Sequence, residues 1–299
     1  MGWYTISGVY FYILDFFEGT YTLRILQSFL VLLIKIAPYL VISILIQVMM
    51  MRLVMKKEMT FQFRKRMLAT FLASILGILS PLPTYAALPI GLSFIPMGIP
   101  ISAIMAFIIA SPLINPSVFF LTMTQLGYEI AFARVVTAFV LSLSGGFISG
   151  MLFKSIKDVL YKNNVRHIEK SFLSELKRSL IFVGRHFAVA LLISAIVKAM
   201  VSPQLVTEIL GQHIQQSLLV AIALGIPFYS CGGAAIPFVD VLSELGMNKG
   251  AVLAFFIAGP ATKLETLYIF KSLLGIKILL FYLVLTAVGA YIAGIIMLI

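Results

Sequence analysis

The chain holds one cysteine, Cys231, within the run Tyr-Ser-Cys-Gly-Gly at 229–233. One thiol forms no internal disulfide and no multi-thiol metal cage. A lone thiolate suits transient handling of a soft species, because tight storage needs several such ligands. Gly232 and Gly233 would let a ligand approach the backbone, and Tyr229 and Ser230 put polar groups beside the sulfur. The competing account is that Cys231 only fills space, as buried free cysteines commonly do.

Other candidates lie at helix-breaking residues. Pro81, Leu82 and Pro83 end an apolar run, and Thr84 and Tyr85 are the polar groups that follow. Asn115 stands in Ser-Pro-Leu-Ile-Asn-Pro, and Thr262 follows Gly259-Pro260. Beside a broken helix such groups commonly satisfy freed backbone; a substrate or ion contact is the alternative for each.

Charges inside apolar runs are costly unless paired. Lys263 and Glu265 follow the break at Pro260, and Asp240 lies eight residues beyond Gly232. One reading pairs Lys263 with Asp240 or Glu265 and lets the carboxylate exchange a coupling proton. The other has Lys263 snorkel while Asp240 sits near the outer surface with Glu244. Lys263 and Glu265, two apart on a helix, point in different directions and form no intrahelical pair. Lys35 either snorkels or lines the interior. His186 and His213 are single and carry no assigned role.

The elements that must position these residues are set by composition. The 299 residues are 61% hydrophobic and 11% charged, with a mean hydropathy of +1.09, which no soluble domain of this length carries. An all-α polytopic membrane protein is expected. The formal charge of +11 comes from basic residues clustered between apolar runs, the pattern of topology signals beside anionic headgroups rather than of nucleic-acid binding. No P-loop, dinucleotide fingerprint, zinc-protease motif or nucleophile elbow is present, so neither an enzyme nor a cofactor is expected, and an ATP motor would be another chain. The first residues lack the pattern of a removable signal peptide, and the N-terminus is expected to be retained.

Residues 77–112 and 225–260 align without gaps at an offset of 148, with 12 identities in 36 positions. Composition alone gives roughly three, so the chain contains an internal duplication. The identities include Gly77 with Gly225, Pro89 with Pro237, Gly98 with Gly246 and Pro112 with Pro260. Both copies mark where helices break at depth.

The chain then divides into a lead-in helix within 1–20, too short to span, a first repeat at 21–153, a basic linker at 154–178 and a second repeat at 179–299. A spanning helix is expected at 24–50, apolar runs at 67–80 and 85–95 meeting at a tip, a span at 101–121 broken at Ser111-Pro112 and Asn115-Pro116, and a helix from about Arg134 to Phe153. The second half repeats the plan with helices at about 179–201, 250–270 and 278–299. Basic residues place 52–66 and 154–178 in the cytoplasm. The first half then needs an even number of crossings between them, although three apolar elements are present. If 67–80 and 85–95 dip in and return, the halves have opposite orientation and the tips at Pro81–Pro83 and Tyr229–Gly233 meet near the midplane, the plan of an inverted-repeat transporter. Four full crossings per half, giving parallel repeats, is the alternative.

Four stretches, Pro-Leu-Pro-Thr-Tyr-Ala-Ala-Leu-Pro at 81–89, Ala-Ser-Pro-Leu-Ile-Asn-Pro at 110–116, Tyr-Ser-Cys-Gly-Gly-Ala-Ala-Ile-Pro at 229–237 and Ala-Gly-Pro-Ala-Thr-Lys at 258–263, resemble the paired signatures of the predicted-permease family that contains the ArsP-type organoarsenical efflux permeases. The resemblance covers about residues 25–295. It implies an inner-membrane exporter of trivalent organoarsenicals such as methylarsenite, with Cys231 as the matching thiol. A related branch carries Cys-x-Cys where this chain has Pro83 and Tyr85, which argues against that branch's metal chemistry. The expected partners are a small-molecule solute and the lipid bilayer, with a homo-oligomer left open. Two other readings stay open: export of another small metabolite or ion with Cys231 only packing, and a non-transporting membrane scaffold or sensor.

Overall fold

Apolar runs interrupted by proline and glycine fold into helices that stop and restart. The computed structural model describes residues 21–56, 66–80, 84–94, 98–153, 172–228 and 235–299, and every regular element among them is helical. In the first half these are α1 (Tyr21–Lys56), α2 (Arg66–Leu79), α3 (Thr84–Ser93), α4 (Ile101–Leu113), α5 (Pro116–Leu126) and α6 (Tyr128–Leu152). The second half has α7 (Phe172–Met200), α8 (Pro203–Val206), a π-helical turn (Thr207–Gln212), α9 (Ile214–Phe228), α10 (Ala235–Glu244), α11 (Lys249–Thr262), α12 (Leu264–Leu274) and α13 (Ile276–Ile296). The expected lead-in helix and both hairpin tips lie outside the described residues.

The offset of 148 read from sequence reappears in backbone and packing. Among the described residues four glycines have positive φ, and they form two pairs at that offset, Gly98 with Gly246 and Gly127 with Gly275. Each stands where the chain turns from one helix into the next, a conformation that glycine adopts without steric cost. A Cβ on Gly77 would lie 2.8 Å from the Phe107 carbonyl oxygen, and one on Gly225 would lie 3.5 Å from that of Phe255. Both positions mark the same close crossing, of α2 on α4 and of α9 on α11. Gly146 meets the Ser102 carbonyl and Ala106, while Gly294 meets the Gly250 carbonyl and Ala254, again equivalent contacts. Bulk at these sites would push the helices apart.

Two large apolar clusters, each drawing on both halves, form most of the described core, and α4, α6, α11 and α13 all contribute to one of them. Twelve consecutive residues of α11, Gly250–Ala261, are buried, as expected of a helix that is apolar all round and enclosed by others. The outermost helices differ. On α6 the exposed residues include Phe132, Val136, Val140 and Ile148, and on α13 their counterparts Leu280, Val284, Val288 and Ile296 are also exposed. Apolar stripes of this length facing outward suit lipid, not water. Among the described residues three helical stretches, Ile101–Leu126, Tyr128–Leu152 and Ile276–Ile296, are long and apolar enough to cross a bilayer.

Helices α6 and α13 run antiparallel along one another. Gly145 packs against Leu285, Gly289 against Leu141, and the rings of Phe153 and Phe281 stand 5.7 Å apart, so position falls on one helix as it rises on the other.

Some expectations about breaks and ends shift. Neither Pro112 nor Pro260 ends its helix; each lies inside, and the chain breaks two or three residues later, at Ile114-Asn115 and at Lys263. Near a helix's C-terminal end proline already has its preceding turn formed, whereas Pro116 forces Asn115 into extended backbone (φ −143°, ψ 168°). Helix α6 starts six residues before Arg134, which brings that cation inside the span. Helix α7 starts at Phe172, inside the segment expected to be linker. Residues 202–212, which sequence left without assignment, form α8 and the π-helical turn after a 108° bend from α7.

Candidate functional site

Helices α2 and α3 have 14 and 10 residues. At 1.5 Å per residue the longer is about 21 Å, short of a hydrocarbon core of about 30 Å. In each half two short helices, α2 and α3 or α9 and α10, therefore stand on either side of the segment expected to be a tip. Pro81 and Pro83 in the first tip, and Tyr229, Ser230, Cys231, Gly232 and Gly233 in the second, fall outside the described residues. Thr84 and Tyr85 open α3.

The arms cross over between halves. Helix α3 packs on α12, and its counterpart α10 packs on α5, so each tip's outgoing arm lies against the other half's broken span. The two breaks themselves are built differently. Asn115 is the N-cap of α5, its Oδ1 accepting from the Val118 N–H at 2.9 Å. It thus does the capping work that its position after a break suggested. Thr262 donates its hydroxyl back to the carbonyls of Ala258 (3.2 Å) and Gly259 (3.1 Å), satisfying backbone beside Pro260. Lys263, half-buried, holds the cap position of α12 and provides no side-chain cap, while Glu265 lies one residue into that helix's first turn.

Asp240 has a different partner from the one considered first. The Lys35 ammonium lies 2.7 Å from Asp240 Oδ2 and 3.2 Å from Glu244 Oε1, and Lys198 reaches the other Glu244 oxygen at 2.7 Å. The pairing of Lys263 with Asp240 is corrected to Lys35 with Asp240, because the arm on which Asp240 stands packs on α7, and α7 packs on α1, which carries Lys35. Of the two accounts of Asp240, the one that grouped it with Glu244 describes its neighbours. Asp240 is buried at 4% exposure whereas the other three side chains are a third or more exposed, so this balanced cluster of two cations and two carboxylates leaves Asp240 as its inner member. Lys35 lines this cluster instead of snorkelling alone.

Sequence reading passed over Arg134. It is fully buried, donating to Thr122 Oγ1 at 2.6 Å and to the Leu113 carbonyl at 3.2 Å, with its guanidinium 4.1 Å from the centroid of the Phe256 ring. Leu113 is the last residue of α4, so the guanidinium satisfies a carbonyl freed by the helix break and faces the negative end of that helix. The cation–π contact ties this to α11 of the other half. The signal available was a cation within a long apolar run, hidden once the helix was started at the cation itself. In the second half the equivalent pair is Tyr282 and Phe270, stacked with ring centroids 4.4 Å apart. One polar contact has an apolar twin.

Comparison with known proteins agrees with this architecture. Residues 22–299 match the ArsP family described as predicted permeases. The chain is 24% identical over 266 residues to the UPF0718 protein YcgR of Bacillus subtilis, covering 82% of this chain and 87% of that one. It is 27% identical over 132 residues to the UPF0718 protein MJ0584 of Methanocaldococcus jannaschii, covering 43% and 36%. No solved structure matches. With the family covering the chain from the start of α1 to its last residue, and with apolar helices broken at depth on both sides of a duplicated frame, the protein is a multi-pass membrane protein belonging to the predicted-permease family.

Proposed function

We propose that the protein is a secondary efflux permease for a small thiophilic solute, a trivalent organoarsenical such as methylarsenite, working by alternating access between inverted halves. The observation that carries this reading is the reciprocal packing of each tip's outgoing arm on the other half's broken span. The antiparallel run of α6 against its own counterpart α13 supports opposite orientation of the halves. In this reading segments 52–66 and 154–178 face the cytoplasm, and the tips at 81–83 and 229–233 meet near the midplane.

The Cys231 sulfur forms one S–As bond as one arsenic hydroxyl leaves with the thiol proton as water, and hydrolysis reverses the bond on the far side. Tyr229, Ser230, Gly232, Gly233, Pro81, Pro83, Thr84 and Tyr85 surround the solute. Asn115 and Thr262 fix the breaks. Asp240 carries the coupling proton, with Lys35 as its counter-charge, and Lys263 and Glu265 lie on the second broken span.

The test is uptake into everted membrane vesicles, wild type beside Cys231→Ser, with methylarsenite, arsenite and zinc, and with the proton gradient on or collapsed. Gradient-dependent uptake of methylarsenite alone, lost in the variant, is expected. Equal uptake by the variant removes the thiol role. Absence of methylarsenite uptake by folded wild-type protein removes the arsenical reading.

A further inference from the structure

Helices α6 and α13 meet along a seam that stays open on its outer side. The groove there has a volume of about 720 Å³, within the range of small-molecule sites. Its rims are equivalent residues of the two halves, Val136, Val140 and Ile148 on α6 and Val284, Val288 and Ile296 on α13, all of them exposed. Ser144 also lines it, and its hydroxyl donates to the Val140 carbonyl at 2.7 Å, so it needs no polar partner from an occupant. These are the outward faces of two spanning helices, so the occupant comes from the bilayer. An acyl chain seated in the groove has protein on both sides, whereas one on a single helix face has it on one, and each added contact contributes dispersion energy.

The two ends of the groove differ in charge. At one end lie Ala133 and Leu253, and one turn before them on the same helix faces stand Glu129 and Lys249, which pair with each other. At the other end lies Phe281, and one turn before it on α13 stands Lys277, exposed. Lys271, in the last turn of α12 and also exposed, lies on the other side of the turn at Gly275. The first-half counterparts of these two lysines are Met123 and Glu129. A repeated frame thus carries an internally balanced pair at one end of the groove and two cations at the other.

We infer that this groove is a binding site for an anionic phospholipid, with an acyl chain lying along the seam and the headgroup phosphate on Lys277 and Lys271. Basic side chains at headgroup depth attract anionic lipid, and the apolar walls suit its chain. The inference stands apart from the transport reading, since it uses no tip residue, solute or coupling proton. A second copy of the chain fits less well. Two chains related by a two-fold axis along the membrane normal would bring both Lys277 ammonium groups to one end of a shared seam, like charge against like. Gly289 is also filled by Leu141 of the same chain, so it gives another helix no close approach.

The experiment titrates the full-length protein in detergent micelles with dioleoyl phosphatidylglycerol or dioleoyl phosphatidylcholine. Bound lipid and chain number are read by native mass spectrometry, and the unfolding temperature is measured alongside. Wild type is expected to bind the anionic lipid about fivefold more tightly than the zwitterionic one. It is also expected to unfold at a higher temperature with that lipid bound, because the groove's walls belong to different halves. Replacing both lysines, Lys271→Gln with Lys277→Gln, is expected to equalise the two affinities. Val288→Trp fills the groove from one wall and is expected to weaken both lipids and remove the stabilisation. Val140→Trp fills it from the other wall and replaces that variant if Val288→Trp folds poorly. Equal wild-type affinity for the two lipids, or a preference that survives loss of both lysines, overturns the site. Wild-type lipid affinity in a folded, groove-filled variant does the same. Chains that pair without lipid and separate in Val288→Trp would give the groove to a second copy and overturn the lipid assignment.

Discussion

Arg134 is a single side chain on which competing terms can be weighed. Burying a guanidinium costs several kcal/mol, and an apolar replacement recovers that cost. The same replacement leaves the Leu113 carbonyl at the α4 break without its donor and removes the contact with Phe256. Losing the partner of a buried polar group costs about 1–3 kcal/mol, and no water is at hand inside a membrane core to relieve it. Arg134→Met is therefore expected to be destabilising, with a lower unfolding temperature in detergent and less folded protein. An unchanged unfolding temperature would mean that desolvation relief and lost contacts cancel. Glycine gives a graded case: a Cβ on Gly77 would meet Ala110 Cβ at 2.6 Å, whereas one on Gly225 would come no nearer than 3.2 Å to Gly259. Gly77→Ala is expected to cost about 1–3 kcal/mol by overpacking, and Gly225→Ala less, in the same unfolding measurement.

At the scale of elements, the breaks and the arms act together. Asn115→Ala removes the cap of α5 and is expected to cost about 1 kcal/mol without touching the second half. The arm α10 is held to α1 and α7 through Lys35, Asp240, Glu244 and Lys198. Exposed members of such a cluster contribute little to stability, so its inner carboxylate is the member whose loss should be felt. Asp240→Asn keeps shape and removes one charge. The expected outcome in everted vesicles is transport that no longer responds to collapse of the proton gradient, with folded protein still recovered; retained gradient dependence would move the coupling role to another group. Glu265 is the next carboxylate to test in that event.

For the whole molecule the open matter is which way the halves face. Tyr128 and Ile276 are equivalent positions at helix starts and are 66% and 52% exposed, so a cysteine at either reports its side of the membrane. In a Cys231→Ser background, Tyr128→Cys is expected to react with an impermeant thiol reagent in intact cells, and Ile276→Cys only after permeabilisation. The basic residues Lys271 and Lys277 flank the second position, and none flanks the first. Labelling of both from one side would favour parallel repeats. The antiparallel run of α6 and α13 predicts in addition that Phe153→Cys and Phe281→Cys cross-link within one chain.

Much of this plan is legible in the sequence for a physical reason. Membrane helices must satisfy their own backbone, so apolar runs and the glycines and prolines that interrupt them report directly where helices stop. That is why the duplication, the short arms and the turns at Gly98 and Gly246 could be placed from residues alone. Pairing is another matter. Lys35 and Asp240 are 205 residues apart, and nothing local to either says which opposite charge will be nearest once α1 packs beside α10. Arg134 reads as a flanking cation until α4 ends beside it, and Lys263 reads equally as a snorkelling lysine or as the partner of Asp240 or Glu265 until Lys35 is found on Asp240. Periodicity and backbone chemistry are local and were fixed by the sequence. Which buried polar group meets which was decided only when the two halves closed on each other.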